Sequence, residues 1–403
     1  MAGRRRRTKK KVAAVAVGED RFEDLPDHVL ELVLSFLSSK EAVQTSVLAR
    51  CWHHIWKSVP SLRICDYDFD TVEEVNSFVN KLIELRDPTA RLDECEIPYY
   101  DGGIHSWLQY AVSCRVKVLK LESFDPDKHG SIYNDSVISE HLTRLEFRHL
   151  IFEEDRPLDL SGCRALQVLD LHDCGINLVD FVCPNSLRHL RLFDLVCQPW
   201  NIRARISAPG LVTCELSGCR TLTPSFGSLP SLITASIRIT PESDQCLAWT
   251  SPTGYCEGFC CKDYSSVLLE GLSGATHLEL ISEDVCEIFS RDLKWPPTFV
   301  HLKTVLLSDW CVTENFAGLI YFLKHSPILE RLTLQLGPSE KSYSKMLESY
   351  TPSEHFFVSK HLKVVEIKFF KVKIAKICQI EKLLVTLGVT RETITIDEDF
   401  YHY

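Results

Sequence analysis

Four cysteines fall close together near the middle of the chain: Cys246, Cys256, Cys260 and Cys261. Thiolates in that number suggest zinc, but a structural zinc site takes ligands in pairs, two to four residues apart at each end. Here Cys260 and Cys261 are adjacent, Cys246 stands ten residues before Cys256, and no histidine is near. The segment reads as a surface loop with no metal, of the kind that carries binding residues on a rigid scaffold. His53 and His54 are adjacent, and adjacent helix residues point in different directions, so they do not share one ion. No Gly-rich phosphate loop, nucleophile elbow or HExxH pair occurs. No enzyme and no cofactor are expected.

Seventeen cysteines are spread along the 403 residues, many beside leucines, as in LHDC and LSGC. Such thiols read as reduced, small buried hydrophobes, because disulfide frameworks belong to short secreted chains. Arg4, Arg5, Arg6, Arg7, Lys9, Lys10 and Lys11 place seven positive charges in the first eleven residues. Setting them aside leaves 38 basic residues against 55 acidic, a body at −17. A basic block ahead of an acidic body reads as a nuclear-import signal or a nonspecific anion-binding arm, import being favoured because no basic groove or stacking aromatics accompany it, with an inert solvated tail as the third reading. No apolar run reaches the length of a membrane span. The six residues Val12–Val17 fall short of a secretory signal core and are followed by Glu19 and Asp20, so secretion is not expected. The expected location is nucleus, cytoplasm or both.

The elements that position the remaining side chains begin at Asp24, Leu25 and Pro26. Proline sits close to a helix start, where its missing N–H costs nothing. Val29, Val33, Phe36 and Leu37 recur at helical spacing, and Leu30 and Leu34 widen the apolar face. Ser38 followed by Glu41 is a capping-box pattern, opening a second helix through Ala42, Val43 and Val47. Leu48, Trp52, Ile55 and Trp56 make a third stripe. Three short helices cannot bury this many apolar side chains among themselves, so the excess apolar surface has to meet something else, the rest of the chain or a partner.

The order LPD, a leucine-rich helix, KEAVQTSVLAR and W-x-x-x-W resembles the plant F-box, the helix cluster that docks the Skp-type adaptor of Skp–cullin–F-box ubiquitin ligases. The matching positions are Leu25, Pro26, Val29, Leu30, Leu34, Phe36, Leu37, Val47, Leu48, Arg50, Trp52 and Trp56. The resemblance implies that these residues form the adaptor interface. Ala49 and Cys51 depart from the usual serine and arginine and leave the apolar face intact.

Farther on, a triplet of apolar residues spaced three and then two apart returns eleven times. Copies start at Val116, Leu142, Leu166, Leu187, Leu211 and Leu232, at intervals of 26, 24, 21, 24 and 21 residues. Others start at Ala275, Leu302, Leu329 and Leu362, with a degenerate last copy at Arg391. The intervals lie in or near the leucine-rich-repeat range. The last two positions of each triplet share one side of a strand, and stacking such strands in parallel gives a continuous apolar spine. Phe316, Leu319, Ile320 and Leu323 form one helical face between strands. Ile377, Ile380, Leu384 and Leu387 form another, closed by Gly388. Thr71 and Glu74 cap a helix carrying Val72, Val75, Phe78, Val79, Leu82 and Ile83, which is expected to join the two parts rigidly. Trp107, Leu108 and Ala111 supply the first repeat's helix. The expected fold is α/β, a small N-terminal helical module followed by a solenoid of leucine-rich repeats of the ribonuclease-inhibitor kind.

The whole chain resembles the plant F-box/leucine-rich-repeat group, in phrases such as LKTVLLSDWCV and FLKHSPILERLTLQL. HLKVVEIKFF resembles its C-terminal FBD region, with a looser match downstream in KLLVTLGVTRETITID. The expected organisation is a basic disordered tail (1–19), an F-box (20–65) and a helical linker with the start of the array (66–115). Repeats follow (116–349), interrupted by the cysteine-containing insertion 241–262, and then FBD-like repeats (350–403). The resemblance implies a substrate-recruiting subunit, bound to a Skp-type adaptor and through it to cullin, with an unidentified protein target. The other class that fits is a leucine-rich-repeat scaffold or nuclear binding module acting outside a ligase.

Overall fold

The computed structural model describes residues 25–48, 50–99, 104–123, 130–132, 138–152, 158–177, 180–198, 203–240, 266–282, 287–293, 297–312, 316–338 and 359–398. Three short helices come first: α1 (Asp27–Leu34), α2 (Ser39–Gln44) and α3 (Trp52–Ile55). The capping box forms as expected, with Ser38 Oγ accepting from the Glu41 N–H at 3.2 Å and Glu41 Oε2 accepting from the Ser38 N–H at 3.0 Å. A 3-10 turn, Thr45–Val47, extends α2.

The strands follow in chain order. They are β1 (Ser61–Arg63), β2 (Glu94–Tyr99), β3 (Val118–Ser123), β4 (Gly130–Ile132), β5 (Arg144–Arg148), β6 (Leu150–Phe152) and β7 (Val168–His172). Next come β8 (Gly175–Asn177), β9 (Asp180–Val182), β10 (His189–Gln198), β11 (Arg205–Ser207), β12 (Thr213–Cys219), β13 (Ser225–Phe226) and β14 (Thr234–Ile239). The series closes with β15 (His277–Ser282), β16 (Thr304–Ser308), β17 (Arg331–Leu336), β18 (Val364–Phe369) and β19 (Ile394–Glu398). Helices α4 (Val72–Leu85), α5 (Ile104–Ser113), α6 (Glu287–Asp292), α7 (Ala317–His325) and α8 (Ile374–Thr386) lie between strands.

One parallel sheet runs in the order β1-β2-β3-β5-β7-β10-β12-β14-β15-β16-β17-β18-β19, with β4, β6 and β8 off that path. A second small sheet has the order β13-β11-β9. The register is what the triplets demand. Leu62, Cys95, Leu119, Leu145, Leu169, Leu190, Cys214, Ala235, Leu278, Val305, Leu332, Val365 and Ile394 stand side by side in one column. All but the last are buried. At the open end the column weakens, and Ile396 on β19 is 42% exposed.

The ladder begins two strands before the first expected triplet at Val116. Val59-Leu62-Ile64 and Leu92-Cys95-Ile97 carry the same spacing, and all six side chains are buried. Helix α4 is therefore the return between β1 and β2 and does not serve as a joint between separate parts. Its Thr71 cap accepts from the Glu74 N–H at 3.2 Å, and Val75, Val79 and Leu82 face the core. Trp107, Leu108 and Ala111 are buried on α5 as expected. α7 buries Leu319 and Leu323, and α8 buries Ile377, Ile380, Leu383 and Leu384. Gly388 ends α8 at φ +95°. Its N–H reaches the Val385 carbonyl at 3.0 Å, and the Val389 N–H reaches the Leu384 carbonyl at 3.0 Å. This is the Schellman arrangement.

Four successive strands of the ladder share a left-handed residue at one register position: His149 (φ +54°), Asp173 (+47°), Asp194 (+50°) and Gly218 (+74°). His149 and Asp173 directly follow β5 and β7, whereas Asp194 and Gly218 lie within β10 and β12. A Cβ on Gly218 would sit 2.2 Å from Asp194 Oδ1, so a side chain there would displace that carboxylate and carry the strain of the positive φ. Past the insertion, the fully buried Asp292 of α6 fixes the re-entering chain. Its carboxylate accepts from the N–H groups of Val267 (2.8 Å), Leu268 (2.7 Å) and Leu269 (2.9 Å) and from Ser266 Oγ (3.0 Å).

Candidate functional site: an unpartnered face on the N-terminal helices

Helix α1 carries two apolar stripes, one helical step (100°) apart. The inner stripe is Leu30 and Leu34, each 1% exposed, continued by half-buried Leu37. The outer stripe is Val29, Leu32, Val33 and Phe36. Phe36 is 75% exposed, and Leu32 and Val33 are also exposed. Leu25 and Pro26, ahead of the helix, are exposed as well. The turn after α2 presents Val47 and Leu48, 85% and 74% exposed. Apolar residues scattered singly are ordinary on a surface; this many in one short module mark a contact surface.

The structure sorts the expected contact residues into two groups. Leu25, Pro26, Phe36, Val47, Leu48 and Arg50 are exposed, and Val29 is half-buried. Leu30, Leu34, Trp52 and Trp56 are buried in the chain's own core, and Leu37 is half-buried against it. Spacing could not separate the two stripes, because both repeat at three and four residues. Leu32 and Val33, both exposed, were not among the expected contact positions for that reason.

Several bonds hold this module against the ladder. Ser39 Oγ accepts from the Arg63 N–H at 3.0 Å. Lys40 donates to the Asp68 carbonyl and lies 4.4 Å over the Phe69 ring. Buried Arg86 donates to the Val59 carbonyl at 2.8 Å and to Tyr110 Oη at 3.2 Å. Glu31, beside the outer stripe, has its carboxyl pushed up by burial and by neighbouring Asp27.

A second surface is the outward side of the ladder, whose central row is the residue between the last two positions of each triplet. It reads Arg63, Glu96, Lys120, Glu146, Asp170, Arg191 and Glu215, then Ser236, Glu279, Leu306, Thr333 and Glu366. Its first half is bound to itself. Arg63 pairs with Glu96 at 3.4 Å, Lys120 with Glu94 at 2.6 Å, Arg148 with Glu146 at 2.7 Å and Arg144 with Asp170 at 2.6 Å. Burial pushes the Asp170 carboxyl up against the pull of Arg144 and Arg191. At Glu146 burial also acts upward, but hydrogen-bonded Arg148, with Arg144 behind it, prevails and holds the carboxyl low. A groove of about 740 Å³ lies over the ends of β1, β2, β3 and β5, with Tyr67 on its wall. A hydrogen bond with Cys65 pushes the Tyr67 phenol up to about 12.

Burial raises the thiols of Cys174, Cys183 and Cys214 to about 12, and those of Cys95 and Cys311 upward too, so none is a thiolate at neutral pH. His53 and His54 are exposed and meet edge to face at 4.5 Å. Among the described residues no group of three or more His, Cys, Asp or Glu is placed to hold a metal. No helix among them is long and apolar enough to cross a membrane. The basic residues Arg4–Arg7 and Lys9–Lys11, and Cys246, Cys256, Cys260 and Cys261, lie outside the described residues.

Residues 22–64 match the F-box domain family. An F-box/FBD/LRR-repeat protein of Arabidopsis thaliana is 31% identical over 181 residues, covering 44% of this chain and 34% of its own length. A second is 34% identical over 180 residues (43% of this chain, 39% of its own), and a third 27% over 188 residues (44% and 43%). The matched segments span less than half of each of these curated relatives. The N-terminal helices thus carry an F-box domain, and the chain is similar to the plant F-box/FBD/LRR-repeat proteins.

Proposed function

We propose that the chain is the substrate-recruiting subunit of a Skp–cullin–F-box ubiquitin ligase. In this reading the exposed residues Leu25, Pro26, Val29, Leu32, Val33, Phe36, Val47 and Leu48 dock a Skp-type adaptor, which links the chain to cullin. The observation that carries it is the outer stripe of α1, an apolar face on a helix whose inner stripe already fills the core. Each leucine or phenylalanine covered by a partner would contribute about 1.5–3 kcal/mol. We read the parallel ladder as a leucine-rich-repeat solenoid, from β1 to β19, ending in an FBD-like region, whose outward face selects the protein target.

In this reading the chain acts as an adaptor and not as an enzyme: the thiols of Cys95, Cys174, Cys183, Cys214 and Cys311, buried and protonated, are not placed for a catalytic-cysteine ligase. The basic residues Arg4–Arg7 and Lys9–Lys11 serve as an import signal, giving a nuclear share. Deleting residues 1–18 then moves the protein toward the cytoplasm with adaptor binding intact; an unchanged distribution of a fluorescent fusion would refute the signal. Co-purification of the tagged chain with adaptor and cullin, under proteasome block, tests the ligase reading. The intact chain should retain both partners and a Leu25→Ala/Pro26→Ala variant neither. Equal recovery from the two would sink it.

A further inference from the structure

The corner between β18 and α8 reads K-F-F-K-V-K-I, Lys368 to Ile374. In a chain of net charge −10, the run from Lys360 to Lys376 holds six lysines against one glutamate. Part of that charge is spent internally. Lys363 pairs with Glu330 at 2.9 Å, Lys376 with Asp309 at 2.8 Å, and Lys368 stands in register with Asp397. Lys371 and Lys373 are exposed and have no carboxylate partner among the described residues. The backbone at Lys371 is left-handed (φ +53°), a conformation that side chains rarely adopt, and its ammonium lies 4.9 Å from the Phe370 ring centroid. Ile374 opens α8 and is 74% exposed. The helix has no side-chain cap and no acidic residue in its first turn, so its positive end adds to the two lysines.

We propose that this corner docks a short acidic peptide segment bearing one apolar side chain. Two exposed lysines with no carboxylate partner among the described residues, at a helix start with no acidic residue of its own, flank an exposed isoleucine, which matches an apolar anchor flanked by carboxylates. Charge complementarity selects among occupants. A nucleic-acid strand needs open aromatic faces for stacking, and here Phe369 and Phe370 are half-buried, with Lys371 over the latter. An anionic membrane would repel a body this acidic and find only one side chain to insert. The site concerns binding alone and stands whether or not the N-terminal helices dock an adaptor.

The test is fluorescence anisotropy of the full chain with a labelled peptide of aspartates and glutamates around one central leucine. Lys371→Glu/Lys373→Glu should weaken binding at least about tenfold, with salt weakening the intact chain in the same direction. Lys371→Arg/Lys373→Arg should retain binding, as should Lys81→Glu, which reverses an exposed charge on α4. Replacing the peptide's leucine by aspartate should also weaken it. The proposal falls if the intact chain does not bind the peptide, or if charge reversal at the corner changes nothing. It falls equally if Lys81→Glu acts as strongly, or if phosphatidylserine vesicles or a single-stranded DNA oligonucleotide bind through Lys371 and Lys373 in the peptide's place.

Discussion

The hydroxyl of Ser39, in the second helix of the F-box, accepts a hydrogen bond from the backbone N–H of Arg63 at 3.0 Å. Arg63 lies on the first strand of the ladder, and this N–H points away from β2, where the sheet would otherwise end in an open edge. The helical module is thus the cap of the sheet, and the two share one buried core through Trp56, Val59 and Leu62.

A fragment ending at residue 65 should therefore fail to fold, because Leu62 and Ile64 lose β2, whereas one ending at residue 123 should melt cooperatively. Ser39→Ala in the full chain should cost about 1 kcal/mol. Circular-dichroism melts of the two fragments and the variant check this, and an independently folded 1–65 would refute the shared core.

Asp292 is the acceptor for three main-chain N–H groups at once. Asp292→Ala leaves buried donors unpaired, each costing about 1–3 kcal/mol. The expected loss, measured by chemical denaturation, is at least about 3 kcal/mol.

Leu169 and Leu190 are neighbours in the central column and wholly buried. Either Leu→Ala change should cost about 2–5 kcal/mol and lower solubility. A loss well under 1 kcal/mol at both would remove the column as the main source of stability.

The lowered Glu146 carboxyl gives a pH dependence of definite sign. With the folded pKa below the unfolded one, its ionised form stabilises the fold above the ordinary carboxylate range. That contribution disappears as pH falls through the folded pKa. Glu146→Gln should lower Tm at neutral pH, and the gap from the unaltered chain should shrink in acid. A gap of constant size would contradict the role given to Arg148 and Arg144.

What the sequence made legible was local. The Ser38–Glu41 and Thr71–Glu74 caps, the Gly388 stop and eleven triplets depend on spacings within a few residues, which a chain displays directly. Val59-Leu62-Ile64 and Leu92-Cys95-Ile97 escaped because a fourteen-residue helix separates them and cysteine replaces leucine in the second. Asp292, and the pairing of Arg144 with Asp170, join residues more than twenty positions apart, so they became visible only with the register. The exposed apolar face was half legible. One broad apolar face on α1 follows from the spacing, but packing decides which part of it lies inside.

We propose that the outer stripe binds a Skp-type adaptor. Isothermal titration of purified adaptor into the chain and into its Val33→Asp/Phe36→Asp variant tests it most directly. Both positions are exposed, so the variant's Tm should stay close to that of the unaltered chain. Saturable binding to the unaltered chain and a loss of at least about a hundredfold in the variant is the predicted result. Equal affinity for the two would contradict it.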